Sequence, residues 1–380
     1  MAGTRKLRLG LIGGGPGAFI GPIHRIAAEL DGRMTLVAGA FSSDPDRSRL
    51  GGERYGIDPA RAYPDHATML AAERARDDGI DLVAIVTPNH LHFPAAMAAL
   101  AAGVAVISDK PATSTLAEAR ELAVAAARAG AGRPYALTYT YSGYPLVREA
   151  RARIAEGLLG TVRRVAVEYV QGWLSAPMDE GASKQARWRL DPAQSGVGGC
   201  IGDIGVHAFH LAEFVTGLRV TRLCADLGTV VPDRALDDDV AVLLRFENGA
   251  RGVLTASQVA TGERNGLSIR VYGDRAGLVW RQEQPDHVVI MHADGRSETI
   301  WGGTAALGPH GQAASRTPGG HPEGYLEAFA TLYRDFADVL HGGSAPLLPG
   351  IADGVRSMAF IEAAVTASRD DAGWILFEGQ

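Results

Sequence analysis

Short apolar runs separated by amphipathic stretches govern the first third of the chain. Residues 7–12, 36–41, 82–86, 104–107 and 135–139 are apolar over strand lengths, whereas residues 45–55, 94–102 and 116–129 carry helical spacing. Gly103 follows one of these helical stretches, where a C-terminal glycine belongs. Regular alternation of strand and helix predicts an α/β domain with a parallel, doubly wound sheet, whose ligands lie beyond the carboxyl ends of the strands.

Past about residue 140 the pattern changes. Residues 162–171, 220–230, 240–246, 251–259 and 267–272 are strand-like and rich in β-branched positions, with short turns between several of them, and Asn248-Gly249 is a strong hairpin signal. This half predicts a largely antiparallel α+β domain. Residues 304–320 are glycine-rich and polar and predict a loop, followed by helices over 325–340 and 351–367. We place the boundary at 134, with one domain over 1–134 and a second over 135–380 whose C-terminal helix packs back on the first.

Composition narrows the class. At 380 residues, 46% hydrophobic and 21% charged, the chain has the make-up of a globular protein with room for two cores. The apolar stretch near the start is short and broken by glycine, which reads as a strand rather than a signal peptide and predicts a cytoplasmic protein. Cys200 and Cys224 stand in no disulfide or metal-ligand spacing and are expected to be buried small hydrophobes. A formal net charge of -6 without a long basic run argues against a nucleic-acid partner, no stretch predicts a membrane partner, and a small molecule is the expected ligand.

Candidate chemistry begins in the run from Leu7 to His24, where a strand breaks into glycines before a helical pattern. Gly13 and Gly15 would let the backbone turn tightly and approach a pyrophosphate, with Pro16 in the same turn. Two clusters fall at later strand ends: Thr87, Pro88, Asn89, His90 and His92, and Ser108, Asp109, Lys110 and Pro111. Pro111 favours extended backbone at Lys110, which would let the ammonium point into a cleft. His90 and His92 lack a carboxylate or cysteine partner in sequence, so no metal is expected. In the second half, a glycine-rich loop leads into Asp203 and His207, four residues apart on one helical face, with Leu211, Phe214 and Val215 toward the core. A carboxylate beside an imidazole suits a general base; equally, Asp203 can be an N-cap and His207 a satisfied core histidine. Oxidising an alcohol by hydride transfer needs a base for the hydroxyl proton and a cation for the developing alkoxide, and His207 and Lys110 meet those needs from different domains.

These residues resemble the Gfo/Idh/MocA oxidoreductases. The glycine-rich start, TPNHLH, DKP, GxGGxxxDIGVH and YGDRAGL occur in that family's order and approximate spacing. The resemblance implies a Rossmann domain, an α/β partner domain with an open sheet that packs against another subunit in a homodimer or homotetramer, and NAD(H) or NADP(H) as cofactor. It assigns Lys110, Asp203 and His207 to catalysis: Lys110 to polarise the reacting oxygen, His207 as acid/base, and Asp203 to orient it or bind a substrate hydroxyl. Thr87, Pro88, Asn89, His92, Asp109, Trp188 and Arg189 match positions near the cofactor.

Four departures stand out. Ala18 occupies the place of the third glycine, with Gly21 coming later, so the turn reads as lengthened; Asp109 replaces the commoner glutamate; and His210 replaces a frequent aspartate. Where an acidic residue would hold the ribose of NAD, the chain has Ser42 and Ser43, with Arg47 close by, which fits NAD or NADP. Tyr139, Tyr141, Trp173, Arg187, Trp188, His210 and His321 are candidates to face substrate, Tyr141, His210 and His321 foremost. The expected activity is an NAD(P)-dependent dehydrogenase acting on a sugar, glycoside or cyclitol. The alternatives are a glycosidase that oxidises its substrate transiently with a retained NAD, and a non-enzymatic dinucleotide sensor.

Overall fold

The computed structural model describes residues 5–130, 132–176 and 188–379. By packing, the chain divides into two units: residues up to Tyr139 with Phe329–Val355, and Thr140–Ala328 with the residues from Arg356 on.

The first unit alternates as its hydrophobic pattern requires: β1 (Leu7–Gly13), α1 (Ile20–Leu30), β2 (Met34–Ala40), α2 (Pro45–Tyr55), α3 (His66–Arg74), β3 (Leu82–Val86), α4 (His92–Ala101), β4 (Ala105–Ser108), α5 (Leu116–Ala129) and β5 (Tyr135–Leu137). The strands form one parallel sheet in the order β2-β1-β3-β4-β5. Every residue of β3 and β4 is buried, as in a sheet with both faces covered. The order reverses between β1 and β3, so the crevice where such sheets bind ligands opens beyond Gly13 and Val86. Asp44, Asp65 and Thr115 cap α2, α3 and α5 through their side chains, and Thr115 forms a capping box with Glu118; α1 has no side-chain cap.

The second unit contains α6 (Pro145–Ala155), β6 (Arg164–Val170), a short α7 (Pro192–Ser195), a π-helical turn (Ile201–Gly205), α8 (Val206–Thr216) and then β7 (Val220–Gly228), β8 (Asp239–Phe246), β9 (Arg251–Ser257), β10 (Gly266–Tyr272), β11 (Ala276–Arg281), β12 (Gln284–His292) and β13 (Ser297–Trp301). Next come α9 (Pro309–Ala314), α10 (Tyr325–Leu340), α11 (Ile351–Arg369) and β14 (Ile375–Leu376). Nine strands form one sheet, β13-β12-β11-β10-β6-β9-β8-β7-β14. All its pairings are antiparallel except β6 with β9. In β8, Val240, Val242, Leu244 and Phe246 point into the core while Asp239, Ala241 and Leu243 are exposed, the alternation of a sheet covered on one face. Phe209 of α8 stacks on Phe360 of α11 at 4.1 Å, and the buried Arg356 pairs with Glu213 at 2.6 Å.

The fold is the expected α/β unit plus an α+β unit with a largely antiparallel sheet. Several elements differ from their sequence reading. α3, α6 and β11–β13 go beyond the elements read from the pattern, and α9 interrupts the expected loop over 304–320. The stretch that returns to the first unit is Phe329–Val355, so the last part of α11 stays with the second. Cys200 is buried as expected, whereas Cys224 is half-buried on β7. Among the described residues no helix is long and apolar enough to cross a membrane.

Candidate active site

In the first unit the glycine-rich turn closes the end of β1. Gly13 has φ +92° and Gly14 φ +75°, conformations that L side chains rarely adopt. A Cβ on Gly15 would lie 2.4 Å from the Phe41 carbonyl oxygen, which accepts the Gly15 N–H at 3.0 Å. Gly21, inside α1, supplies the close approach that Ala18 does not: a Cβ there would meet Gly14 Cα at 2.5 Å. The longer loop therefore shifts the third glycine's packing role onto the first turn of the helix.

This turn fits a dinucleotide. The amides at the start of α1 have no side-chain cap, as suits a helix end that receives an anion. Beside Gly13, the buried hydroxyl oxygen of Thr87 has no hydrogen-bond partner among the described residues. Ser42 accepts the Asp44 N–H at 3.2 Å, Ser43 is exposed, and the exposed Arg47 reaches back to donate to the Pro16 carbonyl at 2.8 Å, which brings its guanidinium to the rim of the turn.

At the ends of β3 and β4 the two clusters are tied together. Asn89 is buried, Pro88 is half-buried, and His92 is buried with Nδ1 2.7 Å from the Pro111 carbonyl oxygen and Nε2 2.9 Å from that of Thr87. Its ring thus bridges the two loops. Burial holds its pKa below the ordinary histidine value, so the neutral ring donates to one carbonyl at a time. Asp109 Oδ1 accepts the Lys110 N–H at 2.9 Å and the Thr138 hydroxyl at 3.0 Å. Lys110 is half-buried at the carboxyl end of β4, and its peptide bond to Pro111 is cis.

In the second unit, Asp203 and His207 lie where the π-helical turn runs into α8, rather than on one regular α-helix. A π turn widens the backbone and leaves residues four apart less aligned than an α-turn does. Asp203 is inside the helical turn, not an N-cap, and its Oδ2 accepts from Arg189 Nε at 3.1 Å and Gln258 Nε2 at 2.8 Å. The Arg189 guanidinium lies 4.4 Å from the Trp188 ring centre and 5.8 Å from that of Trp173. Half-buried His207 packs edge-on against Tyr141 at 4.9 Å.

What holds the turn is Asp237, which sequence reasoning missed. Its Oδ1 and Oδ2 each accept a backbone N–H at 2.7 Å, from Gly199 and Ile201, and its carbonyl accepts that of Cys200 at 2.8 Å. The only sequence signal is the acidic run Asp237-Asp238-Asp239, which resembles a solvated charge cluster until the fold buries Asp238 and half-buries Asp237. Burial raises the pKa of Asp237 despite the two amides.

Tyr141 is buried. Its hydroxyl lies 2.5 Å from that of Tyr169, which donates to Asn265 at 2.7 Å; Gln171 shares that Asn265 oxygen and accepts from Trp173. Burial raises the pKa of both phenols, so each keeps its proton near neutrality. Tyr139 is also buried, and His210 is buried against Phe214. His321 stands apart, lining a pocket with Trp301, Asp286 and Glu323. Arg187 lies outside the described residues. Among the described residues no cluster of three or more His, Cys, Asp or Glu side chains is arranged to hold a metal ion.

Two family models match the chain: an oxidoreductase family with an NAD-binding Rossmann fold over residues 7–132, and the GFO/IDH/MocA C-terminal domain over residues 147–279. An uncharacterised oxidoreductase of Bacillus subtilis, YfiI, is 32% identical, covering 99% of this chain and 98% of its own. Levoglucosan dehydrogenase of Pseudarthrobacter phenanthrenivorans is 26% identical over 98% of both chains. The crystal structure of an inositol dehydrogenase homologue from Azotobacter vinelandii with NAD+ superposes with a TM-score of 0.92, at 37% identity over 98% of each chain. The chain belongs to the GFO/IDH/MocA family and is an oxidoreductase with an NAD-binding Rossmann domain. These relatives support the dehydrogenase reading and not the glycosidase alternative.

Proposed function

We propose that this protein is an NAD(P)-dependent dehydrogenase acting on a secondary alcohol, or its ketone, in a sugar, glycoside or inositol-like cyclitol. The observation that carries the proposal is a half-buried lysine at the carboxyl end of β4, beside a turn shaped for a dinucleotide. Gly13, Gly15 and Pro16 with the α1 amides would hold the pyrophosphate; Thr87, Pro88, Asn89 and Asp109 would line the cofactor, and His92 would keep their loops together. The bound cofactor supplies a hydride acceptor or donor.

The chain's own residues handle the proton and the charge. Lys110 donates to the reacting oxygen and stabilises it as negative charge develops. His207 takes the hydroxyl proton in oxidation and returns it in reduction. Asp203, shared between Arg189 and Gln258, presents a fixed carboxylate for a substrate hydroxyl, with Trp188 beside the same guanidinium. Ser42 and Ser43 leave space free of negative charge for a 2′-phosphate, and Arg47 gives NADP a cation within the turn's rim, while the Ser42 hydroxyl serves a plain ribose. The working unit is a cytoplasmic homodimer or homotetramer; exposed Leu243 and Trp301 on the sheet support a face covered by a second copy.

The test incubates purified protein with NAD or NADP and a panel of inositols, monosaccharides and glycosides, following nicotinamide absorbance and product together. Reduced cofactor accumulating one-for-one with oxidised product supports a dehydrogenase. Glycoside cleavage with no net reduced cofactor sinks it in favour of the redox-cycling alternative.

A further inference from the structure

Beneath the Asp109-Lys110 turn lies a buried polar group that the chemistry above does not use. His24, on the inward face of α1, and Tyr333, on α10, are both almost fully buried in the first unit. His24 Nδ1 is 2.7 Å from the Tyr333 hydroxyl, and the ring also meets the edge of Phe329 at 4.9 Å. Its other nitrogen, Nε2, has no hydrogen-bond partner among the described residues and faces Asp109 Oδ2 at 3.9 Å. If this position only filled space, an apolar side chain would do so without desolvating an imidazole.

The tautomer follows from the neighbours. Burial pushes the His24 pKa down to about 4, against the pull of Asp109 and with a smaller push from His92, so the ring is neutral near pH 7 and carries one N–H. Tyr333 is held well above the ordinary phenol value by burial and keeps its O–H. A proton on Nδ1 would point the Nε2 lone pair at a carboxylate. With the Tyr333 O–H donating to Nδ1, Nε2–H instead points toward Asp109 Oδ2 and the polarity is matched along the chain Tyr333, His24, Asp109. Asp109 Oδ1 in turn accepts the Lys110 N–H and the Thr138 hydroxyl.

We propose that His24 and Tyr333 are positioning residues that hold the Asp109 carboxylate, and through its bond to the Lys110 amide fix the backbone from which the Lys110 ammonium works. Asp109 Oδ2 faces the Nε2–H dipole of the buried imidazole at 3.9 Å, an electrostatic contact rather than a hydrogen bond, while Oδ1 serves the turn, so removing that dipole frees the carboxylate to rotate off the Lys110 N–H. This rests on Lys110 being the reactive cation.

A double-mutant cycle with a spectroscopic readout tests it. The chain's lysines are Lys6, Lys110 and Lys184, so reductive ¹³C-methylation gives a sparse NMR spectrum in which Lys110→Ala identifies the Lys110 signal. His24→Leu and Tyr333→Phe should each lower kcat, the first by about tenfold, shift the Lys110 methyl signal, and have under about twofold effect once Lys110→Ala is present. His24→Gln, whose amide N–H can reach toward Asp109 as Nε2–H does, should recover most of the rate and the signal. NADH titration by fluorescence keeps cofactor binding as a separate measure. An unmoved Lys110 signal in folded His24→Leu, or an equal rate loss with and without Lys110, overturns the proposal. Wild-type turnover in Lys110→Ala alone overturns the role of Lys110 and the positioning with it.

Discussion

The two units secure their proposed reactive groups in different ways. In the first, Lys110 takes its nearest support from its own neighbourhood in sequence, the end of β4, the carboxylate of Asp109 one residue before it and Pro111 one residue after, and the remote His24 and Tyr333 reach it only through Asp109. In the second, Asp203 sits on a π-helical turn that leads into the helix carrying His207, and that turn is held by partners 34 residues or more away from Asp203 for two of its three supports, Asp237 and Gln258, with Arg189 nearer in the chain. Support from chain neighbours tolerates the loss of a distant contact better than support assembled directly from distant contacts. Loss of a direct remote support such as Asp237 should therefore disturb the turn at Asp203 without disturbing Lys110, whereas His24 and Tyr333 should act on Lys110 alone.

The largest effect expected is from Lys110→Ala, which removes the ammonium proposed to stabilise the reacting oxygen and should lower kcat roughly 10²–10³-fold while NADH binding stays near wild type. Steady-state kinetics with a fluorescence titration separates the two. His207→Asn keeps a polar side chain without a titratable nitrogen; turnover should fall about 10²-fold and the pH–rate profile should flatten near neutrality. An unchanged profile would leave His207 as packing.

Asp237→Ala sharpens the contrast most directly. It orphans the amides of Gly199 and Ile201 and should destabilise the second unit by about 2–4 kcal/mol, lowering turnover with no change in the Lys110 environment. Equal disturbance of both would erase the distinction between the units. His24 gives a pH signature of the first unit. Its folded pKa, about 4, lies below the ordinary 6.5, so its contribution is fully present above pH 6.5 and is lost as pH falls from 6.5 toward 4, by roughly 3 kcal/mol in all. Urea denaturation across that window should show the loss, and His24→Leu should flatten it. The smallest effect belongs to Arg47→Ala, which should weaken NADP by about 1 kcal/mol and leave NAD nearly unchanged.

Much of this was legible in the chain. Strand and helix alternation in the first unit needs only local hydrophobic period, and Asn248-Gly249 does turn β8 into β9, with Gly249 at φ +86°. Lys110, Asp203 and His207 could be picked out because their chemistry is carried by residue type and near spacing. The strands β11–β13 were not, because β-rich segments with charged outward positions lack the clean alternation of a half-buried strand. Arg189, Gln258 and Asp237 had no shared signal, since nothing in sequence says that they converge on one turn.

By itself, the sequence determined the order of elements, the glycine turn and the residue types available for proton and hydride chemistry, because period, turn conformation and side-chain chemistry are local properties. Tertiary structure alone decided that Asp203 sits in a π turn, that His92 and His24 are buried braces beneath strand ends, and that Gly21 supplies the missing close approach. Each depends on which distant groups burial brings within hydrogen-bond or van der Waals reach, and that is a property of the packed chain.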